Sequence, residues 1–216
     1  MNSVNRKIRN FFKLFKKLKT RGAFAYIYLK YFNKEDSKPR EIKLKNDINF
    51  TINQRSGDLC RIYEVFVDEN YMFKYKHPDN IKILDIGAHI GFFSIYAAKN
   101  FPKGNVFAFE PYPASFNRLN DNIKKNNISN IKIFPYAISD TNGKVNFYSV
   151  EWSGCNTIIP GKFDEGNYIK STVDSITSEQ IFKITGVSYF DFAKNRLWRQ
   201  RVFNLLKFEW WTDQTY

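Results

Sequence analysis

The stretch KILDIGAHIGFFSIYAAKNFPKGNVFAFEP, Lys82–Pro111, is the strongest indication of the fold in this sequence. It begins with an apolar run that stops at Asp85, and a second apolar run ends just before Glu110. Between the two runs lie Gly87, Gly91 and then a helical pattern. A buried strand, a glycine-containing turn, a helix and a second buried strand form the repeating unit of a parallel sheet.

The same alternation continues outward from this stretch. Strands are predicted at residues 81–86, 105–109 and 131–134, with a helix over residues 92–100 and a second helix that begins at Pro113. Proline suits the first turn of a helix. Val145–Val150 is predicted as a further strand. The chain is therefore predicted to be an α/β protein, with a parallel sheet and helices on both of its faces.

Two acidic residues mark a candidate ligand site in this sheet. Ligands bind at the carboxyl ends of parallel strands, where Asp85 and Glu110 are predicted to lie. Gly87 permits a sharp turn, and Gly91 is expected to leave the N-terminus of the next helix open to a ligand. Glu110 follows Gly87 by 23 residues, where a carboxylate can accept both hydroxyls of a ribose.

The spacing of the glycines separates two classes of ribose-containing cofactor. The dinucleotide fingerprint is G-x-G-x-x-G, whereas here the glycines are four residues apart and His89 occupies the second glycine position. An acid directly before the loop favours a cofactor with a cationic ammonium group and would repel a pyrophosphate. The pattern therefore predicts S-adenosyl-L-methionine, with a tight turn in a non-binding α/β protein as the alternative.

Ile83–Gly91 and the following VFAFEPYPASFNRLNDNIKKNNISNIKIFPYAISDTNGKVNFY resemble the FkbM family of S-adenosylmethionine-dependent methyltransferases. The resemblance extends from about Asp58 to Phe192. It implies a class I methyltransferase (Rossmann-like) fold and O-methylation of a sugar, glycan or natural-product hydroxyl.

The resemblance also assigns residues to the cofactor. The methionine part would lie in the loop, Glu110 would hold the ribose, Ala137 would lie along the adenine, and the stretch Trp152–Ile158 would lie near the active site. The implied cofactor-binding residues are Asp85, Gly87, His89, Gly91, Glu110 and Ala137. No metal is implied. The catalytic base stays unknown; His89 is a candidate, with the shape of the loop as its alternative role. If the chain methylates an acceptor without the acids that the family carries, the base is to be sought among His89, Asp191 and the Trp152–Ile158 stretch.

The resemblance is predicted to fail after Phe192. The family carries acids for substrate-side work in a segment of the type F-L-K-I-D-x-E-G-A-E, but this chain continues AKNRLWRQRVFNLLKFEWWTDQTY, without an acid between Asp191 and Glu209. A change of reading frame near Ala193 and a divergent, shortened C-terminus are the two open explanations. Either would remove the C-terminal half of the seven-stranded sheet, and we would then expect a poorly soluble, inactive chain with its fourth strand at an edge.

The positive charge is concentrated at the N-terminus. Residues 1–45 hold 14 basic and three acidic residues, so they carry +11 of the chain's net charge of +13. The nearly neutral remainder argues against a nucleic-acid partner and an RNA methyltransferase. Cys60 and Cys155 lie far apart, and no secretory signal is recognised. A cytoplasmic location is therefore expected.

The basic N-terminal arm has a periodic apolar face. Val4, Ile8, Phe11, Phe15 and Leu18 recur at helical spacing, and Gly22 is expected to break the pattern. Such a helix either contacts a membrane surface or an acidic partner through residues 1–21, or packs on its own domain with the basic face in solvent.

Four segments follow from these patterns. They are the basic arm 1–45, a lead-in segment 46–80, a partial methyltransferase domain 81–192 and a divergent tail 193–216. The predicted function is methylation of a small-molecule or glycan acceptor. The alternative is a non-catalytic binding module that acts through its basic N-terminal helix.

Overall fold

The computed structural model describes residues 12, 14–16, 18, 22–30, 39–44, 47–53, 57–68, 77–150, 153–158 and 168–195. The chain forms two compact units. The first comprises Met1–Asn70 with Trp152–Gly154, and the second comprises Tyr71–Glu151 with Cys155–Tyr216.

The first unit combines helices with a β-hairpin. Residues 22–30 form helix α1, and residues 12, 14–16 and 18 are also helical. Strands β1 (Arg40–Lys43) and β2 (Asn49–Ile52) pair antiparallel, and α2 (Asp58–Ile62) continues into a π-helical turn, Tyr63–Val67. The core of this unit includes Leu18, Ile42, Phe50, Ile52 and Ile62, which are almost completely buried.

Gly22 does not end the helical pattern, contrary to the prediction. It is a buried residue of α1, and a Cβ at this position would lie 2.8 Å from the main-chain oxygen of Lys43. A side chain there would collide with the backbone of β1. Glycine is therefore accommodated in the helix because it permits the close approach of helix and hairpin.

The described end of the predicted apolar face is packed. Leu18 is buried, and the ring of Phe15 meets that of Phe24 edge-on at a centroid distance of 5.2 Å. This part of the face supports the alternative in which the helix packs on its own domain. Val4, Ile8 and Phe11 lie outside the described residues.

The second unit contains the predicted parallel sheet. Its strands are β3 (Lys82–Ile86), β4 (Asn105–Phe109), β5 (Ile131–Phe134) and β10 (Phe192–Asn195), in the order β10-β3-β4-β5. All three pairings are parallel. Helix α3 (Phe92–Asn100) joins β3 to β4, and α4 (Pro113–Lys125) joins β4 to β5. This order matches strands four, one, two and three of the predicted class I methyltransferase sheet, and the α/β fold is confirmed.

A second sheet is inserted between β5 and β10. It is built from β6 (Ala137–Ile138), β7 (Gly143–Val150), β8 (Ser153–Thr157) and β9 (Ile169–Ile176), in the order β6-β9-β7-β8. The strand predicted at Val145–Val150 is present as β7, but it pairs antiparallel with β9 and does not join the parallel sheet. Helix α5 (Ser178–Thr185) then leads to β10.

Alternate residues of the parallel strands face opposite layers. One face packs against residues of β6, β9 and α5 in a single apolar cluster of Leu84, Ile86, Phe107, Phe109, Ile138, Ile176, Ile181, Phe190 and Ala193. On the other face, Phe93 of α3 stacks on Phe192 of β10 at 5.8 Å. Helices therefore contribute to both faces, as predicted. None of the helices in the described part of the chain has the length and apolar character needed to span a membrane.

Candidate cofactor-binding site

The loop Gly87–Gly91 connects the carboxyl end of β3 to α3. Its backbone is left-handed at Gly87, His89 and Gly91, with φ of +72°, +55° and +93°. The amides of Gly87 and Ala88 donate to the carbonyl of Phe109, at 2.9 and 3.0 Å. The loop is thus fastened to the carboxyl end of β4, where the sequence placed the ribose-binding acid.

Gly91 makes room for a neighbouring helix. A Cβ at this position would lie 2.5 Å from Cδ1 of Leu119 in α4, and the Gly91 amide donates to the carbonyl of Ala88. The side-chain amide of Asn122, also in α4, donates to the carbonyl of Ile90 at 3.0 Å. The missing side chain therefore permits close packing against α4. The ligand access predicted for Gly91 from the sequence stays a prediction.

Glu110 lies directly after β4 and is 6% exposed. Its Oε2 accepts the main-chain N–H of His89 at 2.7 Å, and its Oε1 accepts the main-chain N–H of Tyr112 at 3.0 Å. These two amides fix the orientation of the carboxylate. They also bring His89 and Glu110, 21 residues apart in sequence, into direct contact.

Asp85 is held by two side chains of the protein. It is fully buried, its Oδ2 accepts from Oγ of Ser94 at 2.5 Å, and its Oδ1 is 2.7 Å from Nζ of Lys194. Lys194 also donates to the carbonyl of Gly87 at 3.1 Å. Lys194 is therefore a cation of the protein beside Asp85, and the contact of Asp85 with the ammonium group of the cofactor stays a prediction.

Ala137 lies in β6, beside a pair of aromatic rings. It is buried with Phe147 and Val173, and Tyr112 packs against the same cluster. The rings of Tyr112 and Phe147 stack at 5.6 Å with an interplanar angle of 18°. Because the Tyr112 amide binds Glu110, Ala137 and Glu110 both adjoin the same tyrosine.

Asp191 lies at the other end of the sheet. Its Oδ2 accepts the main-chain N–H of Lys82 at 2.8 Å, so it sits at the amino end of β3. At about 3.3 Å per residue, four residues of strand separate Lys82 from Ile86 by roughly 13 Å. Asp191 is therefore a strand-pairing residue and not a base at the carboxyl ends. Of the Trp152–Ile158 stretch, residues 153–158 are described, and Ile158 packs near Ala137.

Lys194 and Ser94 are the site residues that the sequence analysis missed. For Lys194 a signal existed, since Phe192-Ala193-Lys194 matches the first and third positions of the family segment that begins F-L-K. Strand β10 accordingly runs through residues 193–195, which had been placed in the divergent tail. Ser94 gave no such signal, because a serine in the first turn of a helix is common.

The family model of the FkbM methyltransferase domain matches residues 85–208, which is more than half of the chain. The chain belongs to the FkbM methyltransferase family. The match extends beyond Phe192, where the resemblance had been expected to end. S-adenosylmethionine is the cofactor of this family, as predicted, and an enzyme of methyl transfer is the class that the family supports.

Curated relatives of the FkbM chain include two fungal methyltransferases. Methyltransferase 1 of Beauveria bassiana (strain ARSEF 2860) is 35% identical over 69 residues, which cover 32% of this chain and 27% of that protein. Methyltransferase sdnD of Sordaria araneosa is 32% identical over 99 residues, which cover 45% and 38%. The matched part of this chain thus spans well under half the length of either relative.

Solved structures with local similarity are also methyltransferases or related proteins. TYW2 of P. horikoshii, in complex with MeSAdo, is 19% identical, with 50% of this chain and 40% of that chain covered and a TM-score of 0.38. TYW2 of M. jannaschii, in complex with AdoMet, is 23% identical, with 46% and 44% covered and a TM-score of 0.34. A likeness of this size says nothing about the acceptor.

Proposed function

We propose that this FkbM chain transfers a methyl group from S-adenosylmethionine to a hydroxyl of a sugar, glycan or other natural product. The main observation in support is the position of the Glu110 carboxylate at the carboxyl end of β4. There it accepts hydrogen bonds from main-chain N–H groups of the Gly87–Gly91 loop and of Tyr112. The family supports methyl transfer. The choice of an oxygen acceptor rests on the family resemblance of the sequence.

The arrangement fits the cofactor part by part. A buried carboxylate with a fixed orientation suits the two hydroxyls of a ribose, because hydrogen bonds to a charged acceptor are the stronger ones. The loop Gly87–Gly91 would hold the methionine part, with Asp85 and Lys194 beneath it. Ala137, beside the stacked rings of Tyr112 and Phe147, would adjoin the adenine.

The protein's share of the chemistry is alignment and removal of one proton. When bound, S-adenosylmethionine supplies a methyl group on a sulfonium that is already activated. The protein has to hold the acceptor oxygen in line with the bond between the methyl carbon and the sulfur. Such alignment can lower the activation barrier by several kcal/mol. It also has to receive the hydroxyl proton. Of the base candidates, His89 lies in the loop at the carboxyl ends, whereas Asp191 does not.

Binding of S-adenosylhomocysteine tests the cofactor assignment. Glu110→Ala should weaken binding by about 2–5 kcal/mol, since two hydrogen bonds to a charged group are lost. The matched control is Asp79→Ala, because the Asp79 side chain is 81% exposed and pairs with Lys103 on the surface. Calorimetry that finds equal affinity for both variants would refute the role of Glu110.

Labelled methyl transfer tests the acceptor. The chain is incubated with S-adenosylmethionine that carries an isotopic methyl group and with a panel of sugars and polyols, each beside its amino analogue. We expect label on the hydroxyl compounds alone. Label on the amino analogues alone would replace O-methylation with N-methylation and leave the cofactor assignment intact.

A further inference from the structure

We propose that Lys194 is a positioning residue that sets the geometry of the cofactor-binding loop through its ion pair with Asp85. The proposal rests on the proposed function only for its affinity readout, since the geometry of the loop can be followed without a cofactor. Lys194 would make cofactor binding depend on the docking of strand β10, which lies at the described edge of the parallel sheet.

The register of the sheet brings the two charges together. Lys194 of β10 is the Cα partner of Asp85 in β3, so both side chains extend from adjacent strands on the same face. The separation between Nζ and Oδ1 is 2.7 Å, with side chains that are 7% and 0% exposed. A buried carboxylate without a partner is strongly unfavourable, so the position of Asp85 depends on the lysine.

The ion pair of Lys194 and Asp85 in turn holds both ends of the loop. At the start of the loop, Lys194 donates to the carbonyl of Gly87 at 3.1 Å. At its end, Ser94 in the first turn of α3 donates to the other oxygen of Asp85 at 2.5 Å. One ammonium and one carboxylate therefore hold the first residue of the loop and the helix that follows it.

The loop also contacts Glu110, the residue proposed to bind the ribose. The amides of Gly87 and Ala88 donate to the carbonyl of Phe109, and the His89 amide donates to Glu110. These contacts require the left-handed backbone at Gly87 and His89. A shift of Gly87 would therefore move the His89 amide away from the Glu110 carboxylate.

A merely structural ion pair would behave differently. Its loss would lower the stability of the whole unit but leave the affinity of the folded molecules unchanged. The positioning role predicts that affinity and local loop protection fall in molecules that are still folded. The structural role and the positioning role can be distinguished with a control variant that loses as much stability through a substitution outside the loop and outside β10.

The main experiment uses the full 216-residue chain with Lys194→Met. Near-ultraviolet circular dichroism selects a temperature at which every variant is folded. Amide hydrogen exchange is then read at Gly87, Ala88 and His89, with the Glu110 amide, which donates to the carbonyl of Phe134, as the internal reference. We expect at least tenfold faster exchange at the three loop amides and no change at the reference.

Affinity for S-adenosylhomocysteine is measured on the same samples. Lys194→Met should weaken binding at least tenfold. Ile181→Ala, in α5 and in the cluster on the opposite face, serves as the matched destabilised variant, and Lys132→Met, an exposed lysine of β5, serves as the charge control. Both controls should keep the affinity of the unaltered chain.

Ser94→Ala provides a milder second variant if Lys194→Met does not fold. It removes the other partner of Asp85 and should also raise exchange at the loop amides. Loop exchange that changes no more than in Ile181→Ala, for whichever variant folds, would overturn the positioning role. If the unaltered chain does not bind S-adenosylhomocysteine, the proposed function fails, and the exchange measurement still decides the role of Lys194.

Discussion

His89 has an unusual backbone conformation, and its main-chain amide contacts Glu110. Its φ of +55° lies in the left-handed region, which asparagine and histidine tolerate better than most residues. The hydrogen bond to Glu110 comes from the His89 amide and not from its ring. The conformation at this position therefore matters for the cofactor site independently of the imidazole.

This separation can be tested with two substitutions. His89→Asn should keep the affinity for S-adenosylhomocysteine within about threefold, because asparagine adopts the same backbone conformation. His89→Val should weaken binding clearly, since a β-branched residue at positive φ costs on the order of 1–3 kcal/mol. Titration calorimetry measures both. Equal losses would show that the ring itself contacts the cofactor. Methyl transfer by His89→Asn would in addition exclude the imidazole as the base.

Gly91 has two reasons to be glycine, a φ of +93° and the contact with Leu119. Gly91→Ala should lower the free energy of unfolding by more than the strain of about 1–2 kcal/mol that left-handed backbone imposes on alanine. Gly186→Ala is the control, because Gly186 has a φ of +71° and nothing within 4 Å of the added Cβ. Urea unfolding compares the two. A larger loss for Gly186→Ala would contradict the packing role of Gly91.

Strand β10 is docked at both of its ends by polar contacts to β3. Asp191 exchanges two hydrogen bonds with Lys82, since its amide donates to the Lys82 carbonyl and its carboxylate accepts the Lys82 amide. At the other end Lys194 binds Asp85. These end contacts add to the parallel pairing of β10 with β3.

Asp191→Ala should therefore loosen the strand. We expect a loss of about 1–3 kcal/mol in the free energy of unfolding, because the Lys82 amide loses its acceptor. Asp174→Ala is the control, since Asp174 forms an exposed ion pair with Lys144 and such pairs contribute about 0–1 kcal/mol. Thermal unfolding gives the comparison. An Asp191→Ala variant as stable as Asp174→Ala would mean that the contacts of the Asp191 side chain contribute little to holding β10.

The whole chain has an uneven distribution of charge. Residues 1–45 carry +11, while the methyltransferase domain is nearly neutral. In the helical residues between 12 and 18, Phe12 and Lys16 lie one turn apart and are exposed, whereas Leu14 and Leu18 are buried. An anionic membrane would therefore meet this helix through its charge more than through its apolar face.

We expect weak, salt-sensitive binding to vesicles that contain phosphatidylserine. Replacing Lys13, Lys16 and Lys17 by Glu should abolish it, since each basic residue near such a surface contributes about 1 kcal/mol. Replacing Lys124, Lys125 and Lys132 by Glu changes the net charge equally and should leave binding intact. Sedimentation at low and high salt provides the measurement. If the chain never sediments with the vesicles, the interpretation that the helix contacts a membrane is wrong. The alternative then stands, in which the helix packs on its own unit with its basic face in solvent.

Local sequence patterns predicted the helices and strands of the parallel sheet and several residues of the candidate site. The helix over residues 92–100 and the strands at 105–109 and 131–134 were predicted with the bounds that the structure shows. Glu110 was found because it follows an apolar strand at a set distance from the glycines. Each of these inferences depends on residues that are close in sequence, where backbone periodicity acts directly.

Long-range contacts decided the rest. The strand at residues 143–150 joined a second sheet because its partner is β9, and sequence patterns do not specify which strands pair. The backbone of Lys43 leaves room only for glycine at the helical position 22, and the side chain of Leu119 does the same at position 91. Asp85 was predicted from its sequence position to face a cationic cofactor, but its ion pair with Lys194, 109 residues away, was not predicted. A side chain takes the partner that the folded chain places beside it, and that partner has no fixed spacing in sequence.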